Sequence, residues 1–343
     1  MINRPLQWLV CVLHLNELLL KHLFEKLDGP TSGPESYTGP LGKLIGGKGL
    51  VRTPLVNFEP IPTKIEEVDY DLDNNDTKLF YRLSFFVSEG HGSRFCSAFN
   101  EKPGKVTPAR WVTCGSNQLM LFCQTEYPTN NQKKLIKFIQ GCYGPMLYLV
   151  KQYNHAIYGA RLFFEMILLA KSCLNCDDFK IVKKVLEDNS YFAHPENILL
   201  SMVFDENRNV RKKGAEKIIE SRNLLAAQNY DELRHFRVPG KFLNLNARNY
   251  YEVLDLSKMK PEDCDPPLLK HFSIEKLRSC IDGDQLKIDE FPCHSQAVER
   301  NVALTSRSSE NNIGYTNRHG FILSTQDSFA KLPMRATKSH FVG

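Results

Sequence analysis

The chain has 343 residues, of which 42% are hydrophobic and 24% charged, a composition that is ordinary for a globular protein. Its net charge of +5 lacks the concentrated positive charge of a dedicated nucleic-acid binder, so nucleic-acid binding is permitted but not required. The 10 cysteines are scattered through apolar stretches, which excludes a small disulfide scaffold and predicts a reducing, intracellular compartment.

The first predicted element is a short buried strand over Leu6–Val12, because these residues are mostly aliphatic and aromatic. A helix follows, with leucines and Phe24 at helical spacing over 15–27, and Asp28-Gly29-Pro30 is expected to end it. The apolar run over 6–13 is shorter than the roughly 20 residues that a bilayer requires, and no small-residue cleavage site follows it. We therefore expect neither a membrane span nor a signal peptide.

Residues 28–63 are rich in Gly and Pro and predict an irregular connector. From about residue 74 onward, apolar residues recur at helical spacing, and Gly144-Pro145 is expected to kink or divide one long helix. The pattern also predicts an extended segment over 234–246 and a short strand over 286–288. The predicted helices after the connector cover 75–88, 108–124, 130–153, 158–173, 177–188, 195–204, 207–223, 247–255, 273–281 and 294–309.

This order of elements predicts a mostly α-helical chain with a small α/β part, in which a large all-helical insertion interrupts an α/β core. The expected organisation is a remnant core strand and helix over 1–28, an irregular connector over 29–72, a helical insertion domain over 73–230, a return to the core over 231–312 and a poorly ordered tail over 313–343.

Two short motifs do not have the surroundings that their chemistry requires. The segment Gly42–Gly49 has the glycine and lysine spacing of a phosphate-binding loop, but a glycine stands where a Ser or Thr should hold magnesium. Cys173 and Cys176 have the spacing of a metal-binding pair, but no second close pair completes four ligands. Buried cysteines at the end of an apolar helix are the ordinary alternative.

Three strings in fixed order are more informative together. They are Cys-x-x-His-Leu-Asn at 11–16, Arg110-Trp111 at a helix start, and Ser-x-x-x-Glu-Arg at 295–300. Together they resemble the hAT superfamily of DNA transposases. Segments 6–34, 191–202 and 292–304 more closely resemble a high-copy, transposon-derived protein family of invertebrate genomes, a likeness that runs through most of the chain.

The resemblance implies an RNase-H-like fold that cleaves and joins DNA with two metal ions held by two Asp and one Glu. Residue-by-residue transfer leaves Glu299 as the one catalytic carboxylate of the trio, and an Asp-Gly-Thr segment of fuller members is missing. A single carboxylate is a poor magnesium site, because this ion keeps its water unless several oxygens replace it. We therefore expect an N-terminally truncated copy with an incomplete RNase-H-like core, no functional cofactor and no cleavage; magnesium belongs to an intact relative.

Each remaining candidate residue has an ordinary alternative. Trp111 would either stack on an unpaired DNA base, with Arg110 on phosphate, or anchor a helix start in the core. Glu299 and Arg300 would either retain the catalytic carboxylate and contact DNA, or form an exposed pair. Lys212 and Lys213, within a basic stretch over 208–222, would either contact phosphate or belong to a salt-bridged surface. The candidate zinc ligands are Cys11, His14, Cys293 and His294, for which packing and capping are the alternative.

The sequence therefore predicts a transposase-derived, catalytically incomplete protein with residual DNA binding, nuclear if functional, and without membrane association. Two alternatives remain open: a helical protein-interaction module that binds no nucleic acid, and a degenerate copy with no cellular role. Oligomerisation would use the helical insertion. The distribution of positive charge separates DNA binding from protein interaction, because phosphate contacts need a continuous basic surface.

Overall fold

A computed structural model describes the chain over 12–32, 36–46, 53–66, 75–104, 111–153, 155–189, 193–227, 240–255, 272–283, and at residues 258 and 286. Across these residues the chain is mostly α-helical, which confirms the predicted predominance of helix, and it forms no β-strand. Isolated bridges join Thr31 to Tyr37 and Leu243 to Leu254. The α-helices are α1 (Val12–Asp28), α2 (Pro40–Ile45), α3 (Asn75–Glu89), α4 (Val112–Cys123), α5 (Asn130–Phe138), α6 (Gly144–Gln152), α7 (His155–Cys173), α8 (Cys176–Asp188), α9 (Pro195–Val203), α10 (Arg208–Ala227) and α11 (Ile274–Asp282).

Helix α1 lies within the hydrophobic core. One apolar face of the helix is fully buried, and the chain packs α5, α6, α7 and α8 around it. Each completely buried leucine stabilises the fold by about 1.5–3 kcal/mol relative to an exposed one. The leucines of this face are Leu15, Leu19, Leu20 and Leu23.

The long helix predicted over 130–153 is divided by a π-helical segment, Ile139–Tyr143. This segment directly precedes Gly144-Pro145, so the predicted division is confirmed and the π segment itself is an addition. Proline lacks a backbone N–H and cannot continue the hydrogen-bond ladder through its own position. The freed carbonyl of Gln140 accepts bonds from the Lys64 backbone N–H at 3.1 Å and from the Thr63 hydroxyl at 3.3 Å.

The connector is largely irregular, as predicted, but it contains α2 and it packs on the core. Asp28 ends α1, and Gly29 follows with a φ of +123°, which favours glycine. The two carboxylate oxygens of Asp28 accept bonds from the backbone N–H groups of Leu41 and Gly42, at 2.8 and 2.7 Å. One aspartate therefore anchors the start of α2 beside the end of α1. Buried side chains of the connector are Tyr37, Leu41, Ile45, Phe58 and Ile65.

Three local predictions are wrong. Val12, placed at the end of a strand, is the first residue of α1, because its side chain continues the buried helical face; the rest of that strand lies outside the described residues. The described part of the extended segment, 240–246, begins with a 3-10 turn, Gly240–Phe242. Its backbone bonds are local or run to 253–255, so it has no sheet to join. The helix predicted over 247–255 is reduced to the 3-10 turn Tyr250–Glu252.

The other predicted helices are confirmed within the described residues, with ends that differ by a few positions. The short strand over 286–288 is described at Leu286, which is buried and is not in a strand, and the helix over 294–309 lies outside the described residues. Among the described helices, none combines the length and apolar composition needed to cross a membrane.

Candidate functional site: the α1–α4–π junction

Two polar residues of α1 connect this helix to distant parts of the chain. Glu17 is 5% exposed, and one of its carboxylate oxygens accepts the backbone N–H of Trp111, 94 residues away. Its other oxygen accepts the hydroxyl of Tyr143 at 3.2 Å. The side-chain amide of Asn16 donates to the backbone carbonyl of Tyr143 at 2.9 Å. We call this set of Asn16, Glu17, Trp111 and Tyr143 the α1–α4–π junction.

The junction fixes the start of α4. Trp111 is the residue that directly precedes α4, and Glu17 supplies the acceptor that its backbone N–H requires. A carboxylate at a helix N-terminus is also favoured by the helix dipole. Trp111 of the second string is therefore held by Glu17, the residue that directly follows the first string.

Trp111 is 6% exposed, and its indole packs against Phe24 of α1 with ring centroids 5.6 Å apart. This contact favours the helix-start anchor, one of the two roles predicted for Trp111. Stacking on an unpaired base would require the indole to leave Phe24, and that role stays a prediction.

The phenol and thiol groups at and near the junction, those of Tyr143, Cys114 and Tyr37, are held in their protonated forms. Burial, followed by the nearby Glu17 carboxylate, raises the pKa of the Tyr143 phenol well above its ordinary value. Burial raises the pKa of the neighbouring Cys114 thiol to about 12. The Tyr37 hydroxyl lies 4.0 Å from that thiol, and burial raises the pKa of Tyr37 as well. A protonated, buried thiol or phenol is a poor nucleophile, so the junction fits a structural role better than acid–base or nucleophilic chemistry.

The predicted metal ligands are only partly described. His14 is exposed on α1. Among the described residues, no group of three or more His, Cys, Asp or Glu side chains is placed to hold a metal ion. Zinc binding and the catalytic and phosphate-binding roles therefore stay predictions for the residues outside the described part of the chain, which are Cys11, Arg110, Cys293, His294, Glu299 and Arg300.

Lys212 and Lys213 lie exposed on α10, among acidic side chains. Lys212 is 3.9 Å from Glu216 at helical spacing. Lys213 lines a cavity of about 550 Å³ between α9, α10 and the turn over 250–255. The charged residues that line this cavity are Lys213, Glu216, Lys217, Glu220, Glu252 and Asp255. This surface carries both signs of charge, which is the distribution expected of a salt-bridged helix face.

Two arginines of the same basic stretch have structural roles that the sequence did not indicate. Arg208 donates to the carbonyl of Asp282 at 2.7 Å, and Arg211 donates to the carbonyl of Gly283 at 3.0 Å. Cations are stabilising at the C-terminal end of a helix, where carbonyls lack partners. These arginines therefore hold the end of α11 against α10. In the sequence, a glycine after an apolar segment of helical periodicity indicates where α11 ends. It does not indicate that Arg208 and Arg211 bind the carbonyls at that end.

A second buried polar group links α7 to the end of α9. Arg161 lies 3.0 Å from the Asp205 carboxylate, which also accepts the Tyr250 hydroxyl at 2.6 Å. The Arg161 guanidinium stands over the rings of Tyr158 and Tyr250, at 5.0 and 5.2 Å from their centroids. Burial, followed by the bond to Asp205, raises the pKa of Tyr250. The sequence did not single out Arg161, Asp205 and Tyr250, because these three residues are separated from one another by 44 or more positions.

Comparison with known proteins adds no family and no fold to this geometry. No protein-family model, no curated protein and no solved structure matches the chain. The resemblance to transposases therefore rests on the sequence strings themselves; the structure places Trp111 of the second string against α1, the helix that contains part of the first.

Proposed function

We propose that this chain is a transposase-derived protein that binds DNA weakly and does not cleave it by itself. The supporting observation is the contact of Glu17 with the backbone N–H of Trp111. Glu17 directly follows the first of the three strings and Trp111 belongs to the second, so this bond brings the two regions together. Burial of a carboxylate is costly unless it is hydrogen-bonded, so this contact has a specific structural requirement.

The finer architecture belongs to the same proposal. In it, the helices over 73–230 are an insertion into an incomplete RNase-H-like core, and α1 is the core helix on which the insertion packs. The packing of α1 against α5, α6, α7 and α8 supports a shared interface of that kind. Zinc bound by Cys11, His14, Cys293 and His294 would hold the third string against the same end of α1.

The chemical part of the proposal depends on the number of carboxylates. Two-metal phosphodiester cleavage needs several oxygen ligands around metal ions roughly 4 Å apart. Of the three carboxylates that the resemblance implies, this chain carries Glu299.

The test is a salt titration of binding to a labelled DNA duplex. Each phosphate contact that is lost reduces the slope of log affinity against log salt by about 1. We expect Arg110→Ala and Arg300→Ala each to produce that reduction. Lys137→Ala is the matched control, since Lys137 is an exposed cation of α5 outside the predicted site. Absence of duplex binding at about 50 mM salt would remove the DNA-binding proposal.

The second candidate function is a helical protein-interaction module. The observation that favours it is the mixed charge of the α10 surface, where Lys212 pairs with Glu216 and Lys217 lies 3.0 Å from Glu220. Most of the phenylalanines that would otherwise form an interface are in the core, including Phe86 and Phe163. Leu168 remains 41% exposed on α7. If the interaction module is correct, the chain does not bind duplex DNA. Duplex binding that Lys213→Glu abolishes would exclude this candidate.

A further inference from the structure

Two cysteines from distant parts of the chain meet beside a lysine. Cys142 belongs to the π-helical segment and is completely buried, whereas Cys173 is the last residue of α7 and is partly exposed. The two thiols are close enough for each to perturb the pKa of the other. A Cβ on Gly141 would lie 2.9 Å from the Cβ of Cys173, so the absence of a side chain at 141 permits this approach.

Both thiols face the same side of α7. The Cys142 sulfur lies 3.9 Å from the carbonyl of Met166, and the Cys173 sulfur lies 3.6 Å from the carbonyl of Ala170, one helical turn further along. The backbone of the π segment is therefore positioned with its cysteine against the end of α7. The free cysteine Cys176 follows on α8 and is exposed.

Lys64 supplies a positive charge to this pair. Its ammonium group donates to the hydroxyl of Ser172, the residue next to Cys173. The hydrogen bond with Cys142 lowers the pKa of the Cys173 thiol, burial opposes this, and the Lys64 charge lowers it further. Burial raises the pKa of Cys142. A partly exposed thiol of lowered pKa beside a protonated thiol is the arrangement typical of an oxidation-sensitive cysteine and its resolving partner.

We propose that Cys173 is a site of oxidation by peroxide and that Cys142 resolves it to an intramolecular disulfide. The Cys173 thiolate attacks one oxygen of hydrogen peroxide, the O–O bond breaks, and the hydroxide that leaves becomes water on protonation. The sulfur of Cys142, on losing its proton, then attacks the sulfenic acid of Cys173. The S–O bond breaks, a second water leaves, and the disulfide joins the π segment to α7. In total, two thiols and one peroxide give one disulfide and two waters.

The test uses the full chain, treated with hydrogen peroxide, alkylated and digested with trypsin without reduction. Cys142 falls in the tryptic peptide 138–151, and both Cys173 and Cys176 fall in the peptide 172–180. We expect the two peptides to be recovered linked, with the mass of their sum less two hydrogens plus one alkyl group on Cys176, and to separate on reduction. Recovery of 172–180 as an internally closed peptide would mean that Cys173 pairs with Cys176, and would overturn the proposal.

Variants assign the sulfurs. We expect Cys176→Ser to retain the linked peptides and Cys173→Ser to lose them. Cys176 is exposed and Cys173 is partly exposed, so we expect both variants to fold. In Cys142→Ser, a sulfenic acid on Cys173 should accumulate and be trapped by dimedone. Linked peptides that persist in Cys173→Ser would contradict the assignment.

The lysine provides a rate measurement. Lys64→Met should slow oxidation of Cys173 by about threefold or more, because less of the thiol is ionised. Cys96, an exposed free cysteine elsewhere in the chain, is the internal reference. Oxidation of Cys173 no faster than that of Cys96, or unchanged by Lys64→Met, would show that the lysine and the thiol pair confer no special reactivity.

Discussion

The buried carboxylate of Glu17 offers the most direct test of the α1–α4–π junction. Glu17→Ala removes an acceptor for the Trp111 backbone N–H and for the Tyr143 hydroxyl, and it leaves a space in the core. Glu17→Gln preserves the side-chain volume but replaces one acceptor oxygen with an NH₂ donor. The two variants therefore separate the loss of hydrogen-bond acceptors from the loss of packing.

The magnitude follows from the two bonds. A hydrogen bond to a charged group contributes about 1.5–3 kcal/mol, and a buried donor that is left without an acceptor costs about 1–3 kcal/mol. We expect Glu17→Ala to lower the free energy of unfolding by about 3–5 kcal/mol, with the cavity included. Glu17→Gln can keep one of the two bonds, so it should cost about 1–3 kcal/mol.

Urea unfolding followed by circular dichroism measures both changes. Glu25→Gln is the matched control, because Glu25 lies on the same helix and pairs with Lys21 at 3.9 Å near the surface. This control should change stability by less than about 0.5 kcal/mol. If Glu17→Ala is no more destabilising than Glu25→Gln, the carboxylate does not hold the start of α4, and the structural link between α1 and Trp111 is lost.

Three further outcomes follow. Gly283→Ala should destabilise the chain by about 1–3 kcal/mol in urea unfolding, because its φ is +120° and an added Cβ would lie 3.0 Å from the Arg208 guanidinium; an unchanged midpoint would contradict this geometry. Burial raises the pKa of Cys114 from its ordinary 9.0 to about 12 and that of Tyr143 well above its ordinary value, so the folded chain keeps protons that the unfolded chain releases. The stability from Cys114 is therefore fully present below about pH 9 and is lost as pH rises toward 12, which urea midpoints across that range will show; a flat profile would argue against burial. Purified chain with Mg²⁺ or Mn²⁺ should not nick plasmid DNA, and robust nicking abolished by Glu299→Gln would overturn the expected lack of cleavage.

Periodicity predicted most helices because many of them, such as α8 and α11, bury one apolar face. This signal failed at Leu6–Val12, an apolar run too short for periodicity to distinguish a strand from a helix. Such a run is compatible with a buried strand or with a buried helical turn, and its length does not separate these. Val12 is the described end of that run, and it lies in α1. The extended segment failed for another reason: its first described residues, Gly240–Phe242, form a 3-10 turn, and its pairing is limited to the isolated bridge between Leu243 and Leu254.

The junction was harder to predict than the fold, because its information is not local. Asn16 and Glu17 lie at helical spacing from Leu13 and Leu20 on the apolar face of α1, but polar residue types are usually exposed, so residue type alone assigns them to the surface. Their burial depends on partners 127 and 94 residues away, the carbonyl of Tyr143 and the N–H of Trp111. The carbonyl of Tyr143 ends a π segment, where backbone groups lack their ordinary partners.

The π segment carries residues of both the α1–α4–π junction and the Cys142–Cys173 pair. At Tyr143 it receives the polar residues of α1, and one position earlier it carries Cys142 toward α7. A regular α-helix rotates successive side chains by a fixed angle, and the extra residue of a π turn shifts that register. Restoring regular helix by deletion of one residue would have to displace either Tyr143 or Cys142 from its partner. Loss of the junction with retention of the disulfide, or the reverse, would show which of the two contacts fixes the π register.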